Sequence, residues 1–202
     1  MFVAVWPDDS TRERLSALRL GPIEALRVVE PRQWHVTLRF LGDVDPGLVP
    51  VLVAALETGA GELPDSIRCE IGPTTAWFGG DRVLQVPVAG LEGAAVAVHD
   101  ATVPIVSQAN PGDEARFTGH LTLARSKRRR PVASERSALG GIPMTASFAV
   151  DSFDLVASLT TKNDSRYKSL ERISLPGAAA ASAGVEDAAR IPSPRVSNTN
   201  PP

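Results

Sequence analysis

Two of the chain's three histidines stand in nearly identical surroundings. The stretch RQWHVTLRFLG (32–42) and the stretch FTGHLTLAR (117–125) both contain His-x-Thr-Leu. Imidazole titrates near neutral pH, so one histidine can accept a proton from an attacking water while the other donates one to a leaving oxygen. Threonine hydroxyls beside them can donate hydrogen bonds to oxygens that carry charge in the transition state. The repeated motif therefore predicts acid–base catalysis of an in-line displacement at phosphorus.

The first motif has the apolar and polar alternation of a β-strand, in which every second side chain shares a face. This alternation predicts that His35, Thr37 and Arg39 face the same way, toward a cleft. Arg39 could then contact a phosphate, or it could form an ion pair with a neighbouring strand. Phe40 falls on the other, aliphatic face, and we expect it to pack in the core.

The second motif predicts that His120, Thr122 and Ala124 share the cleft-facing side of another strand. Arg125 ends this motif and opens the basic run 125–130, which could steer an RNA end or could be a solvated turn. Two isolated histidines without a carboxylate cluster make a poor zinc site, so we expect no metal and no cofactor. The third histidine, His99, has no threonine partner and is predicted to lie on a helix surface.

The elements around the motifs occur in an order that repeats. Strand, helix, His-x-Thr strand, helix and strand appear once in each half of the chain, which suggests a duplication. The predicted strands are 2–6, 34–41, 66–72, 82–88 and 120–124, with a closing pair at 146–159 and 165–175. The predicted helices are one with Asp9 or Ser10 as its N-cap, then 45–59, 91–108 (kinked or ended at Pro104) and 131–139. The fold class is α+β, with two pseudo-symmetric lobes whose antiparallel sheets face a central cleft.

Composition divides the chain into a folded part and a tail. The chain has 202 residues and is 43% hydrophobic, which suits one globular domain built of two lobes. We expect this domain to span residues 1–176. Residues 177–202 are rich in Ala, Pro, Ser and Asn, and we expect a disordered tail, the alternative being a short helix over 178–190.

The net charge and the cysteine content indicate which partners and which cellular compartment to expect. The net charge of −2 gives no global attraction to nucleic acid or to an anionic membrane. The single cysteine, Cys69, excludes an internal disulfide and is expected to be a small buried side chain. No stretch has the apolar length of a membrane span. We therefore expect a cytoplasmic monomer without a membrane partner, the alternative being a cysteine-poor secreted protein.

The two motifs resemble the paired signatures of the two-histidine (2H) phosphoesterase superfamily. The stretches VVEPRQWHVTLRFLGDV and RFTGHLTLAR are most similar to the RNA 2′,3′-cyclic phosphodiesterase family, formerly called 2′-5′ RNA ligase, although a proline is common where Gly119 stands. The closing stretch LVASLTTKNDSRYKSLERISL is similar to that family's last hairpin, including its tyrosine, here Tyr167. The resemblance covers residues 2–175 and implies a bilobal fold with both motifs lining a groove.

The same resemblance implies a reaction and roles for the residues. It implies metal-independent opening of a 2′,3′-cyclic phosphate to a 2′-phosphate, with RNA ends or cyclic nucleotides as substrate. His120 would be the proton acceptor for water and His35 the proton donor to the leaving 3′ oxygen. Thr37, Thr122 and Arg125 would hold the nucleotide or its phosphate.

Other functions fit the same residues. The histidines could serve a 2′-5′ RNA ligase or a 2′-5′ oligonucleotide phosphodiesterase, because ligation of a cyclic phosphate reverses a transesterification. A protein of another class, which binds RNA ends with little turnover, would keep the groove as well. The products formed from oligonucleotides with 2′,3′-cyclic ends would separate these possibilities.

Overall fold

The described part of the chain contains ten strands and four α-helices. The computed structural model describes residues 1–18, 20, 24, 26–78, 80, 82–106, 117–127, 133–160 and 165–178. The strands are β1 (Phe2–Val5), β2 (Leu26–Val28), β3 (Val36–Phe40), β4 (Ile67–Ile71), β5 (Ala76–Phe78), β6 (Val83–Ala89), β7 (His120–Ser126), β8 (Ala146–Val150), β9 (Ser152–Thr160) and β10 (Ser165–Ser174). The helices are α1 (Asp9–Ser16), α2 (Val49–Gly61), α3 (Glu92–Thr102) and α4 (Ala133–Leu139), with short 3₁₀ turns at Pro31–Gln33 and Pro46–Leu48. The predicted tail lies outside the described residues from 179 onward.

The strands form one antiparallel path with two similar halves. Their order is β10-β9-β1-β3-β7-β6-β4-β8, with β2 added beside β7 and β5 beside β6. Each half of this path thus has four strands. Its innermost strand, β3 in one half and β7 in the other, carries a His-x-Thr motif. The halves meet where β3 pairs with β7 through Val36 and Leu121. The predicted α+β fold with two antiparallel lobes is confirmed, and the two sheets are continuous with each other.

The helices tie the two halves together by crossing between them. Helix α1 follows β1 but contacts β8 in the other half, and α3 follows β6 but contacts β3. Helix α2 packs against α3 and β10. Their buried side chains, such as Leu15, Leu56 and Val98, join a single large core cluster. Burial of this apolar face is the main favourable term for the fold, and it leaves the histidine face of the sheet uncovered by helices.

Local boundaries differ from the sequence expectation in three places. The N-cap of α1 is Asp8, whose carboxylate accepts from the backbone N–H of Thr11 at 2.8 Å, and not Asp9 or Ser10. Helix α3 ends at Thr102 and does not reach residue 108, because Pro104, which was expected to kink or end the helix, cannot continue the hydrogen-bond ladder. The predicted strand 146–159 divides at Asp151, because β8 pairs with β4 whereas β9 pairs with β1 and β10.

The cysteine expectation is confirmed. Cys69 is fully buried in β4, and burial is the main reason that the pKa of its thiol is raised to about 12. Such a thiol stays protonated at physiological pH and is a poor nucleophile. Cys69 therefore packs in the hydrophobic core as a small buried side chain.

Candidate active site

The two motif strands lie side by side at the centre of the sheet. Extending the antiparallel register one residue to each side of the central pair sets His35 across from Thr122 and Thr37 across from His120. All four side chains line one cleft of about 450 Å³. The remaining lining residues are Met1, Phe2, Phe40, Gly42, Asp43, Arg125, Ser158 and Tyr167. The structure thus brings both motifs together in one site with approximate twofold symmetry.

Each motif strand carries a β-bulge at the leucine of His-x-Thr-Leu. In β3, Thr37 pairs with Ala4 and Arg39 pairs with Val3, so that Leu38 is the extra residue. A bulge sets two residues of one strand against one of its partner and resets the alternation of faces. After the bulge, Phe40 follows Thr37 toward the cleft, and Arg39 points away from it.

The second motif strand repeats this irregularity. In β7, Thr122 pairs with Gln85 and Ala124 pairs with Leu84, which leaves Leu123 as the extra residue. Arg125 therefore takes the same face as Thr122. Because Arg125 and Phe40 occupy corresponding positions of the two motifs, the approximate symmetry presents a cation on one side of the cleft and an aromatic ring on the other.

The predicted shared face of Arg39 and His35 is wrong. Arg39 is only 6% exposed and does not line the cleft. Its guanidinium donates hydrogen bonds to the carbonyl of His99 at 3.1 Å and to the hydroxyl of Thr102. Both acceptors belong to the last turns of α3, where a positive charge is favoured. Arg39 therefore anchors a helix to the back of the motif strand.

Two other face assignments are also wrong for the same reason. Ala124, expected beside His120 on the cleft face, is completely buried. Phe40, expected in the core, is 49% exposed and lines the cleft. The bulges that reverse these positions depend on how the neighbouring strands pair. A prediction that assumes strict alternation of faces along each motif therefore cannot detect them.

Both histidines are oriented by the same contact. Nδ1 of His35 lies 2.6 Å from the carbonyl oxygen of Gln33, and Nδ1 of His120 lies 2.9 Å from that of Thr118. A carbonyl oxygen can only accept, so Nδ1 carries the proton in each ring and donates it. The free position for proton transfer is then Nε2 in both side chains, whether the ring is neutral or protonated.

The rings around the two histidines differ. The His35 ring has the rings of Phe2, Trp6 and Tyr167 around it, with centroids 5.0, 5.6 and 5.2 Å away. Within the described chain, the ring contact of His120 is with Phe78 alone, stacked at 5.0 Å. Two motifs that are almost alike in sequence therefore sit in unlike environments.

This difference affects protonation. The pKa of His35 is lowered from its ordinary value of 6.5, mainly because burial penalises the charged ring. The hydrogen bond to Gln33 opposes this effect, and the positive charges of Arg125 and His120 add to the lowering. In the absence of substrate, His35 is therefore neutral at neutral pH.

Of the aromatic side chains around the histidines, sequence reasoning named Tyr167 and missed Phe2, Trp6 and Phe78. Phe2 and Trp6 come from the start of the chain, and Phe78 comes from β5, a short strand that was not predicted. Strand β2, which flanks β7 and contributes Arg27 near Arg125, was missed as well. Three-residue strands carry too little periodicity to be recognised, and only their pairing partners define them.

The other surface features that the structure describes lack the residues expected of a catalytic or metal site. A larger depression of about 600 Å³ is lined by α1, β4 and β8 and contains no histidine. Among the residues that the structure describes, no group of three His, Cys, Asp or Glu side chains could hold a metal ion. No described helix has the length and apolar character to cross a membrane.

Comparison with known proteins agrees with this geometry. The family described as LigT like Phosphoesterase matches residues 5–67, which include the first motif. An RNA 2′,3′-cyclic phosphodiesterase of Archaeoglobus fulgidus is 27% identical over 175 residues, covering 84% of this chain and 97% of that protein. A solved structure from Thermus thermophilus superposes with a TM-score of 0.75 at 26% identity, over 87% of this chain and 97% of that one. LigT of E. coli in complex with 3′-AMP gives a TM-score of 0.64 at 25% identity, again over 87% and 97% of the two chains.

The curled antiparallel sheet with its helices and central cleft is the 2H phosphoesterase fold. The chain is similar to the LigT-like phosphoesterases over residues 5–67 and to the relatives above over most of its length, which confirms the resemblance recognised in its two motifs.

Proposed function

We propose that this protein hydrolyses the 2′,3′-cyclic phosphate of an RNA end or a nucleotide to a 2′-phosphate, by acid–base catalysis between His35 and His120. The observation that carries the proposal is the matched pair of histidines across the β3–β7 junction. Each has its Nδ1 bound to a backbone carbonyl and its Nε2 left for proton transfer. The A. fulgidus relative bears the name of this activity, and structures of E. coli LigT with 3′-AMP and with NADP⁺ support a nucleotide ligand.

The proposed reaction needs one proton accepted and one donated. Water attacks the phosphorus, and its proton passes to Nε2 of the acceptor histidine. The bond between phosphorus and the 3′ oxygen breaks, and that oxygen takes the proton from Nε2 of the donor histidine. Thr37 and Thr122 line the same cleft as the rings and would donate hydrogen bonds to the non-bridging oxygens, and Arg125 at the edge of the cleft would hold the nucleotide.

The two histidines can be assigned in either order, and one observation bears on the choice. The family resemblance makes His35 the donor and His120 the acceptor. The lowered pKa of His35 favours a neutral ring in the free protein, which suits an acceptor. A bound phosphodiester anion next to His35 raises its pKa and restores its capacity as a donor. The donor role therefore requires protonation that is coupled to substrate binding.

The first experiment identifies the product. Purified protein is incubated with adenosine 2′,3′-cyclic phosphate, and phosphorus NMR distinguishes the 2′- from the 3′-phosphate. We expect the 2′-phosphate alone, with kcat/KM lowered by roughly 10²–10⁴ in His35→Ala and in His120→Ala. His99→Ala is the matched control, since His99 lies in α3 outside the cleft. Near-wild-type turnover in both motif variants would refute the two-histidine mechanism.

A second substrate separates the roles. Thiolate leaves without protonation, so a substrate with sulfur at the 3′ position does not need the acid. It should restore turnover to His35→Ala and leave His120→Ala impaired if His35 is the donor. Restoration of His120→Ala instead would reverse the assignment.

A further inference from the structure

An unusual pair of arginines flanks the cleft. Strand β2 is antiparallel to β7, and Arg27 is directly opposite Arg125 in their register. Opposite residues of an antiparallel pair project from the same face of the sheet, with their Cβ atoms about 5 Å apart. Two positive side chains therefore stand next to each other at the edge of the site.

This arrangement is unfavourable in the free protein. Like charges that are directly opposite on paired strands destabilise the pairing. Neither Arg27 nor Arg125 makes an ion pair or a side-chain hydrogen bond within the part of the chain that the structure describes. The arginines at positions 32, 68 and 172, by contrast, each lie within 4 Å of a carboxylate. An anion bound between Arg27 and Arg125 would remove their repulsion.

A small cavity lies at this pair of arginines. Its volume is about 100 Å³, and its lining residues are Arg27, Val28, Val29, Gln33, His35, Thr122, Arg125 and Tyr167. Four of these residues, His35, Thr122, Arg125 and Tyr167, also line the histidine cleft. The cavity is therefore contiguous with the reacting centre, and only Arg27 among its charged residues lies outside the cleft.

We propose that Arg27 and Arg125 bind a second phosphate of the substrate, the one on the 5′ oxygen of the nucleoside that carries the cyclic phosphate. This proposal rests on the proposed function and specifies its substrate class. A phosphate at that position is one nucleoside away from the reacting phosphorus. It occurs as the last phosphodiester of an RNA chain and also as the 5′-phosphate of a mononucleotide. Paired guanidinium groups bind phosphate oxygens by charge-assisted hydrogen bonds in fork geometry.

The kinetic test uses three substrates with the same base: adenosine 2′,3′-cyclic phosphate, its 5′-phosphorylated form, and the dinucleotide ApA with a 2′,3′-cyclic end. We expect the 5′-phosphate, free or in the dinucleotide, to raise kcat/KM of the wild type about tenfold to a hundredfold, the range for hydrogen bonds to a charged group. Arg27→Met should lose most of this ratio, Arg27→Lys should keep part of it, and the control Arg68→Met should keep all of it. Arg68 is exposed on β4 and lines neither cavity.

Three kinetic outcomes would overturn the proposal. One is a wild type that does not distinguish the three substrates. Another is an Arg27→Met variant that lowers all three rates equally, which indicates a structural role only. The third is a gain for the dinucleotide without a gain for the 5′-phosphorylated mononucleotide, which indicates contact with the upstream nucleoside.

A binding experiment keeps this proposal separate from the proposed function. Calorimetry compares adenosine 2′-phosphate with adenosine 2′,5′-bisphosphate on the full chain, and it needs no turnover. The extra phosphate should tighten binding, and Arg27→Met should cancel that difference and weaken its dependence on ionic strength, because salt screens the attraction between phosphate and guanidinium. Equal affinities, or a difference that survives Arg27→Met, would refute the phosphate site even if the cyclic phosphate is hydrolysed. If no substrate is turned over but the affinity difference follows Arg27, the proposed function fails and the phosphate site stands.

Discussion

Replacing Arg39 with methionine tests whether this residue serves the fold or the substrate. The alternation of the motif assigns Arg39 to the substrate face, whereas the structure buries it against α3. The two assignments predict opposite results. If the structure is right, Arg39→Met lowers the free energy of unfolding and leaves the chemistry of the folded protein intact.

The size of the effect follows from the contacts that are lost. The guanidinium donates to the His99 carbonyl and to the Thr102 hydroxyl, and each hydrogen bond to a charged group is worth about 1.5–3 kcal/mol. The Thr102 hydroxyl keeps its own donation to the Val98 carbonyl, and methionine refills part of the volume. We therefore expect a loss of about 2–4 kcal/mol, since the His99 carbonyl is left without this donor. For a domain of this size that corresponds to a fall of roughly 4–16 °C in Tm.

The assay combines urea unfolding with steady-state kinetics under conditions where the variant is fully folded. Arg125→Met is the matched comparison, because Arg125 is exposed and lines the cleft. That variant should change the free energy of unfolding by no more than about 0.5 kcal/mol, as surface substitutions do, and should lower kcat/KM. A stable Arg39→Met protein that has lost its activity would refute the structural role of Arg39 and restore the substrate role.

Three further predictions concern pH, metal and the chain end. Because the folded pKa of His35 is lowered, the unfolded chain binds more protons below pH 6.5. The stability that depends on a neutral His35 is therefore fully present above pH 6.5. The free energy of unfolding falls as the pH drops through the folded pKa, by at most about 1.4 kcal/mol per pH unit for one proton. His35→Gln should flatten this fall in denaturation curves measured between pH 7 and 4, whereas a fall that follows His99→Gln would contradict the assignment. Turnover should survive excess chelator, because both proton transfers of the proposed mechanism rest on imidazoles; loss of activity that a divalent metal restores would refute this. Deletion of residues 179–202 should leave Tm and kcat/KM nearly unchanged, since the last described core side chain is Leu175; a fall of several degrees in a melting scan would show that the tail packs on the domain.

Much of the architecture was predictable from local patterns. Apolar alternation, helix stop signals and the repeated order of elements identified most of the strands and all four described helices. These features arise within a few residues of chain, so local sequence encodes them. The two short strands β2 and β5 escaped prediction, because their three residues become strands only when β7 and β6 supply the pairing partners.

The sequence by itself determined which groups are available for catalysis: two imidazoles, each with a threonine two residues later, on strands whose other face is aliphatic. Tertiary structure alone decided which way the rest of each motif points. The bulge at Leu38 arises from pairing with β1 and exchanges the expected places of Arg39 and Phe40. The bulge at Leu123 arises from pairing with β6 and turns Ala124 into the core. Tertiary structure also made the two histidines unlike, since the aromatic rings that desolvate His35 come from other strands. A pKa depends on everything near the group in space, and the tetrads in the sequence therefore could not reveal that burial lowers the pKa of His35.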